Sequence, residues 1–221
     1  MTGLAAVLFD MDGTLVDTEV LWWRTTEAIA ADLGYALTDA DAPEVVGRAV
    51  EDTAAHLVRA ARAGDAYEVA RALTGSFFSQ VEAGAPMRPG AQRLLSALEA
   101  EGLPFALVSA SPRVVVDSVV GGSLAHVPFA FTLSADDTPR TKPHPDPYRA
   151  AAARIGAEPW SCVAVEDSPD GAASAEAAGC GVLVVPSLLA VPPSPVRTFA
   201  PSLSEVTPAT LRACLEAASR V

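Results

Sequence analysis

The amino-acid sequence predicts an α/β fold: a doubly wound, mostly parallel sheet with an inserted all-helical cap domain. Five short apolar runs alternate with helical stretches, most of which end at a glycine. The runs are apolar throughout, which is typical of strands that helices cover on both faces. Only one long segment, directly after the first run, has helical patterns and no convincing strand. Together these observations predict a Rossmann-like core interrupted by a helical insertion.

The predicted strands and helices follow one another along the chain. The strands are the apolar runs at residues 4–9, 104–108, 129–133, 162–165 and 181–185. The helices between and after them are predicted at 90–101, 111–120, 145–155, 169–178 and 208–219. The tail at 191–208 is rich in proline and serine, and we expect it to lie along the surface.

The insertion is predicted at residues 18–86, which leaves 1–17 and 87–221 for the catalytic core. Its helical stretches are 19–33, 51–62 and 65–82, and loop signals rich in glycine and proline border it. Because it follows the first strand directly, we expect it to act as a lid over the carboxyl end of the sheet.

Composition excludes several classes of partner. The 221 residues carry a formal net charge of −12, which would repel a nucleic-acid backbone or an anionic membrane surface. No apolar run approaches the ~20 residues that a membrane span requires. The three cysteines are too few and too scattered for a disulfide framework, which favours a reducing cytoplasm. Nothing in the sequence demands more than a monomer.

Polar residues follow the predicted strands at the end where an open parallel sheet binds its ligands. These residues are Asp10, Asp12, Ser109, Lys142, Glu166 and Asp167. Carboxylates gathered in one crevice repel one another unless a cation lies among them. Oxygen ligands of this kind favour Mg²⁺, which also binds substrate phosphate, so the pattern predicts a site for metal and phosphate together.

Asp10 and Asp12 are two residues apart, so in extended backbone they project to the same side. One carboxylate is then placed to attack phosphorus, and the other to protonate the leaving oxygen. Lys142 is the only lysine among 15 basic residues, which suggests that a compact point charge is needed there.

Structural explanations compete at several of these positions. The run from Asp10 resembles half of a calcium loop, but an EF-hand would need glycine where Leu15 stands. Ser168 and Pro169 suit the start of a helix, and Asp170 would complement its first turn. Ser111, which precedes Pro112, is either a helix N-cap or part of the site.

Four motifs, taken in order, resemble the haloacid dehalogenase-like hydrolases, and within them the β-phosphoglucomutase-like phosphatases. The motifs are residues 10–18 (DMDGTLVDT), 108–111 (VSAS), 142–148 (KPHPDPY) and 166–171 (EDSPDG). The resemblance implies Asp10 as the phosphorylated nucleophile and Asp12 as the acid/base. It implies Ser109, Ala110 and Lys142 as phosphate ligands. For Mg²⁺ it implies Asp10, Asp167 and the backbone carbonyl of Asp12, with Glu166 acting through water.

Differences between members of the family narrow the choice of reaction for this chain. Dehalogenases and phosphonate-cleaving members lack a carboxylate at the position of Asp12, and the latter use a cap lysine that this chain does not have. Sugar-phosphate mutases carry a histidine in the first cap helix, where this chain has Trp22 and Trp23. We therefore predict a Mg²⁺-dependent phosphatase acting on a small phosphorylated metabolite through an aspartyl-phosphate intermediate. A mutase is the alternative, followed by a catalytically silent binding protein.

The cap is expected to supply substrate specificity. One of the paired indoles at Trp22 and Trp23 should pack within the cap while the other faces substrate. Trp22 and Arg48 are the candidate substrate contacts.

Overall fold

The computed structural model describes residues 3–46, 48, 50–187 and 189–219. The chain divides into two compact units. The first, the α/β unit, comprises Met1–Val16 and Pro86–Val221, and the second, the helical unit, comprises Asp17–Ala85. In the described ranges no helix is long and apolar enough to cross a membrane.

The α/β unit contains one parallel sheet, which has six strands within the described ranges. The strands are β1 (Ala6–Phe9), β2 (Phe105–Val108), β3 (Thr132–Leu133), β4 (Cys162–Glu166), β5 (Gly181–Val184) and β6 (Arg197–Phe199). Their order across the sheet is β3-β2-β1-β4-β5-β6. The direction of winding therefore reverses between β1 and β4, as in a doubly wound sheet. The predicted fold class is confirmed.

Apart from the short helix α2, the α-helices lie close to their predicted positions in both units. Those of the helical unit are α1 (Thr18–Asp32), α2 (Ala42–Val45), α3 (Val50–Ala61) and α4 (Ala66–Gly84). Those of the α/β unit are α5 (Ala91–Ala100), α6 (Arg113–Gly121), α7 (Asp146–Ile155), α8 (Pro169–Ala178) and α9 (Pro208–Ala218). Helices α7 and α8 end at glycines with positive φ, Gly156 at 78° and Gly179 at 97°, in the left-handed conformation that stops a helix.

The apolar strands are explained by their burial on both faces. All four residues of β1 are buried. On one face Leu8 belongs to a core with Ala151 of α7 and Ala175 of α8. On the other, Phe9 and Phe105 stack edge to face with ring centroids 6.2 Å apart. Because neither face of such a strand contacts water, its residues do not alternate between apolar and polar.

The prediction for the tail at 191–208 was wrong in part, because β6 lies within it and extends the sheet beyond β5. Ala200, Leu203 and Val206 are also buried rather than on the surface. The three residues of β6 are half-buried or exposed at the sheet edge, so the sequence carries no apolar run to reveal them.

The helical unit has a core of its own, formed by α1, α3 and α4. It includes Ala30, Leu57 and Leu73, which are all fully buried. The short helix α2 was not predicted, since four residues leave no periodicity to detect.

Asp41 is a buried hydrogen-bonding centre within the helical unit. Its carboxylate accepts hydrogen bonds from the Tyr35 hydroxyl at 2.8 Å and from the Thr38 amide at 2.9 Å, and His56 Nε2 lies 2.8 Å from it. Burial opposes ionisation of this carboxyl, but the hydrogen bonds from Thr38, Tyr35 and His56 outweigh it and lower its pKa to about 2. The carboxylate therefore joins the segment before α2 to α3.

Candidate active site

Two acidic segments meet where the winding of the sheet reverses. Asp10 follows β1 directly, and its amide donates to the carbonyl of Val165 in the neighbouring β4 at 3.0 Å. Glu166 is the last residue of β4, and Asp167 follows it. The carboxyl ends of β1 and β4 thus bring these acids into the crevice in which doubly wound sheets bind their ligands.

Lys142 joins two of these acids. Its Nζ donates to Asp10 Oδ1 and to Glu166 Oε1, each at 2.6 Å. All three side chains are buried, and the two carboxylates raise the pKa of the lysine despite its desolvation. Burial raises the pKa of Asp10 to about 7, although Lys142 opposes that shift. The cluster holds more negative than positive charge when both acids are ionised.

The same acids fit a hard divalent cation. One carboxylate oxygen from each of Asp10, Glu166 and Asp167 lies within 4.8 Å of the others. Asp10 Oδ2 is buried and has no hydrogen-bond partner among the described residues. A buried, unpaired carboxylate oxygen is costly unless a cation or ligand takes its lone pair. The oxygen-only donor set suits Mg²⁺.

The carboxylate of Glu166 is held by three donors. Besides Lys142, the hydroxyl of Tyr148 donates to Oε1 at 2.6 Å and that of Ser168 to Oε2 at 3.2 Å. Tyr148 is fully buried in α7, and the Lys142 ammonium lies 5.2 Å from its ring centroid. Sequence reasoning missed this role of Tyr148. The signal available was its place six residues after Lys142 in the same motif.

Asp167 is accommodated by a close turn of the backbone. Gly13 has a φ of +77°, and a Cβ added there would lie 2.1 Å from Asp167 Oδ2. Thr14 donates to the other oxygen of Asp167 at 3.5 Å. Glycine is therefore required at position 13 both for its conformation and for its lack of a side chain.

The loop after β2 reaches Asp12. Ser109 and Ser111 both donate their hydroxyls to Asp12 Oδ2, at 3.3 and 2.7 Å. Ala110, between them, is exposed. The N-cap interpretation of Ser111 was wrong: the residue at the cap of α6 is Pro112, and the hydroxyl of Ser111 is directed to Asp12 instead.

The helix-start interpretation of Ser168 is confirmed. Its hydroxyl accepts from the amide of Gly171, with Pro169 in the first turn of α8. The same hydroxyl donates to Glu166, so Ser168 serves both the helix and the site. Asp170 is exposed in the first turn, as its helix-complementing interpretation requires.

The two candidate substrate contacts lie in the helical unit. Trp22 donates its indole N–H to the carbonyl of Val45 at 3.0 Å and stacks edge to face on Phe77. Arg48 is exposed, and its Nε donates to the carbonyl of Pro43 at 2.9 Å. Trp22 therefore packs within the helical unit. Substrate contact by Trp22 or Arg48 stays a prediction.

Fold and site together define a hydrolase with a carboxylate and lysine centre at the switch point of a parallel sheet. The chain belongs to the haloacid dehalogenase-like hydrolases, a family that it matches over residues 4–179. The resemblance seen in the motifs is thereby confirmed.

Particular relatives agree with this assignment. The chain is 32% identical over 188 residues to hexitol phosphatase B of Escherichia coli (strain K12), covering 83% of this chain and 84% of that protein. A haloacid dehalogenase family hydrolase from Deinococcus radiodurans R1, solved with bound phosphate and sodium, is 28% identical with a TM-score of 0.76, covering 99% of this chain and 98% of that one. CbbY from Rhodobacter sphaeroides in complex with phosphate is 26% identical with a TM-score of 0.71, covering 94% of this chain and 99% of that one.

Proposed function

We propose that the protein is a Mg²⁺-dependent phosphatase that hydrolyses a small phosphate monoester, a sugar phosphate or a similar metabolite, through an aspartyl-phosphate intermediate. One observation carries the proposal: the buried Asp10 has one oxygen on Lys142 and the other without a hydrogen-bond partner among the described residues. A nucleophile needs such a lone pair without a hydrogen-bond partner, beside a positive charge that offsets the incoming phosphoryl group.

The relatives support the same class of enzyme. One is named a hexitol phosphatase, and two related structures contain phosphate. The phosphatase name of the first relative, the phosphate bound in the two structures and the chemistry of the site all support phosphoric monoester hydrolysis.

In the first step an oxygen of Asp10 attacks phosphorus, and the bond from phosphorus to the leaving oxygen breaks. Asp12 donates its proton to that oxygen, so that the product leaves as a neutral alcohol. In the second step Asp12 removes a proton from water as the water oxygen attacks phosphorus. The bond between phosphorus and Asp10 breaks, and inorganic phosphate and the free carboxylate result.

The remaining residues bind and orient the phosphoryl group. Lys142, Ser109 and Ala110 are assigned to its oxygens. Bound Mg²⁺ would supply positive charge to offset the phosphoryl and carboxylate charges. Asp10, Asp167 and the backbone carbonyl of Asp12 would hold it, with Glu166 acting through water. The three donors on Glu166 favour this indirect role, since they occupy both of its oxygens.

Residues 18–86 are proposed as the cap that supplies specificity. Trp22 and Arg48 are its candidate contacts. Closure of such a cap excludes bulk water while the first step proceeds.

The test is hydrolysis of p-nitrophenyl phosphate with Mg²⁺ by the wild-type protein and by Asp10→Asn. We expect release of phosphate by the wild type and none by the variant, with both proteins equally folded by circular dichroism. Equal rates would overturn the role of Asp10. Incubation with β-glucose 1-phosphate separates the alternatives: free phosphate indicates the phosphatase, whereas glucose 6-phosphate indicates a mutase.

A further inference from the structure

We infer that Ser111 is a positioning residue for the acid/base: its hydroxyl holds Asp12 while Ser109 binds the phosphoryl group. The inference deepens the proposed function and rests on it. Ser111 lies in the loop between β2 and α6, and its Oγ donates to Asp12 Oδ2 at 2.7 Å, the shorter of the two serine contacts to that oxygen.

Ser109 can donate one hydrogen bond at a time through its hydroxyl. A serine hydroxyl has a single O–H to donate. That of Ser109 is directed to Asp12 Oδ2 at 3.3 Å, and its oxygen accepts the amide of Ser111 at 2.9 Å. If Ser109 donates to a phosphoryl oxygen, as the proposed function requires, it must release Asp12.

Ser111 has no such conflict. The amide of Ser111 donates to Ser109 Oγ and so directs the Ser109 hydroxyl. The hydroxyl of Ser111 donates to Asp12 at the same time. One residue therefore fixes both the phosphate ligand and the acid/base. When the hydroxyl of Ser109 is engaged, that of Ser111 still donates to Asp12 Oδ2.

The contact also determines which oxygen of Asp12 carries the proton. A carboxyl oxygen that accepts a hydrogen bond from a hydroxyl favours the acid form in which the proton sits on the other oxygen. Ser111 occupies Oδ2, so the transferable proton is placed on Oδ1. Without Ser111 the carboxyl group loses the shorter of its two serine contacts.

The test uses the dependence of the first step on the leaving group. An alkyl phosphate needs protonation of its leaving oxygen, whereas p-nitrophenolate leaves without it. The parameter kcat/KM reports phosphoryl transfer from the substrate and is independent of the second step. We expect Ser111→Ala to lower kcat/KM about tenfold for sorbitol 6-phosphate, the effect of one hydrogen bond, and less than about threefold for p-nitrophenyl phosphate.

Two variants and a stability measurement separate positioning from a general structural effect. Ser111→Thr keeps the hydroxyl and is expected to restore the alkyl rate. Ser109→Ala removes a phosphate ligand and is expected to lower kcat/KM by the same factor for both substrates. Urea unfolding establishes that each variant is folded. Equal losses on the two substrates for Ser111→Ala, or no restoration by threonine, would overturn the inference.

Failure of the inference is distinguishable from failure of the proposed function. Asp12→Asn is expected to show the same selective loss, only larger, and Asp10→Asn to be inactive on both substrates. Activity in Asp10→Asn overturns the proposed function, and with it the role of Ser111. An inactive Asp10→Asn together with a non-selective Ser111→Ala overturns the role of Ser111 alone.

Discussion

Gly171 leaves open the space that the carboxylate of Glu166 occupies. A Cβ added to Gly171 would lie 2.0 Å from each oxygen of that carboxylate. Because Lys142, Tyr148 and Ser168 hold the carboxylate in place, it has little freedom to move aside. The absence of a side chain in the first turn of α8 is thus a requirement of the site.

Replacement of Gly171 by alanine is expected to destabilise the protein even though alanine favours helices. Overpacking of a buried site costs about 1–3 kcal/mol, and the displaced carboxylate would also move Lys142 away from Asp10. Urea unfolding measures the loss of stability, and hydrolysis of p-nitrophenyl phosphate measures the loss of activity.

Gly75→Ala is the matched control for that substitution. Gly75 lies in α4 with open space around the position of a Cβ, so alanine is expected to stabilise by about 0.5–1 kcal/mol. If Gly171→Ala were as stable and as active as the wild type, the packing of Glu166 against this glycine would not matter.

Tyr148→Phe removes one donor from Glu166 and leaves the ring in place. A buried carboxylate deprived of a partner costs about 1–3 kcal/mol, so we expect a loss of that size in the free energy of unfolding. The control is Tyr67→Phe, since Tyr67 is 75% exposed and its hydroxyl is in water. Equal stabilities of the two variants would show that the Tyr148 hydrogen bond adds nothing.

The sequence predicted strands β1 to β5 and the meeting of Asp10, Lys142, Glu166 and Asp167 for one physical reason. Strands buried on both faces must be apolar, and polar residues at their carboxyl ends must share one edge of a parallel sheet. Both signals are local in the chain, so they can be recognised without coordinates.

The partners of those acids were beyond such reasoning. The contact of Tyr148 with Glu166 depends on the rotation of α7 about its axis, and that of Ser111 with Asp12 on the path of a loop. Strand β6 was missed because an edge strand of three residues carries no apolar run. Local patterns specify elements, whereas these contacts are fixed by packing between elements distant in sequence.

Asp41→Asn is expected to weaken the helical unit. The carboxylate of Asp41 accepts hydrogen bonds on both of its oxygens. In asparagine an NH₂ group replaces one of these oxygens, and that group cannot accept the hydrogen bonds on its side. We expect the free energy of unfolding of the helical unit to fall by about 1–3 kcal/mol, which is measured as faster hydrogen exchange of the α3 amides. Asp39→Asn, an exposed change in the same short segment, is the control and is expected to leave exchange unchanged. Equal exchange in the two variants would contradict the role of Asp41.

The raised pKa of Asp10 predicts a stability that falls as the pH rises, in the protein without Mg²⁺. Between the ordinary value of 3.8 and about 7, folded Asp10 retains a proton that the unfolded chain has released. The folded state then binds more protons, so the free energy of unfolding decreases with pH, by at most about 1.4 kcal/mol per unit. The contribution is fully present below pH 3.8 and is lost as the pH passes about 7.

The other shifted carboxyl groups do not obscure this slope. Asp41 and Asp137 have pKa values lowered to about 2, and the hydrogen bond from Arg140 lowers the pKa of Asp146. Their contributions are therefore lost only at more acid pH, below the window in which Asp10 titrates. Lys142, whose pKa is raised, stays protonated throughout. Urea unfolding at pH 4.5, 5.5, 6.5 and 7.5 is expected to show the slope in the wild type and not in Asp10→Asn. Saturating Mg²⁺ is expected to reduce it, because a bound cation favours the ionised carboxylate. The same slope in both proteins would assign it to another group and leave the buried Asp10 without its predicted effect on stability.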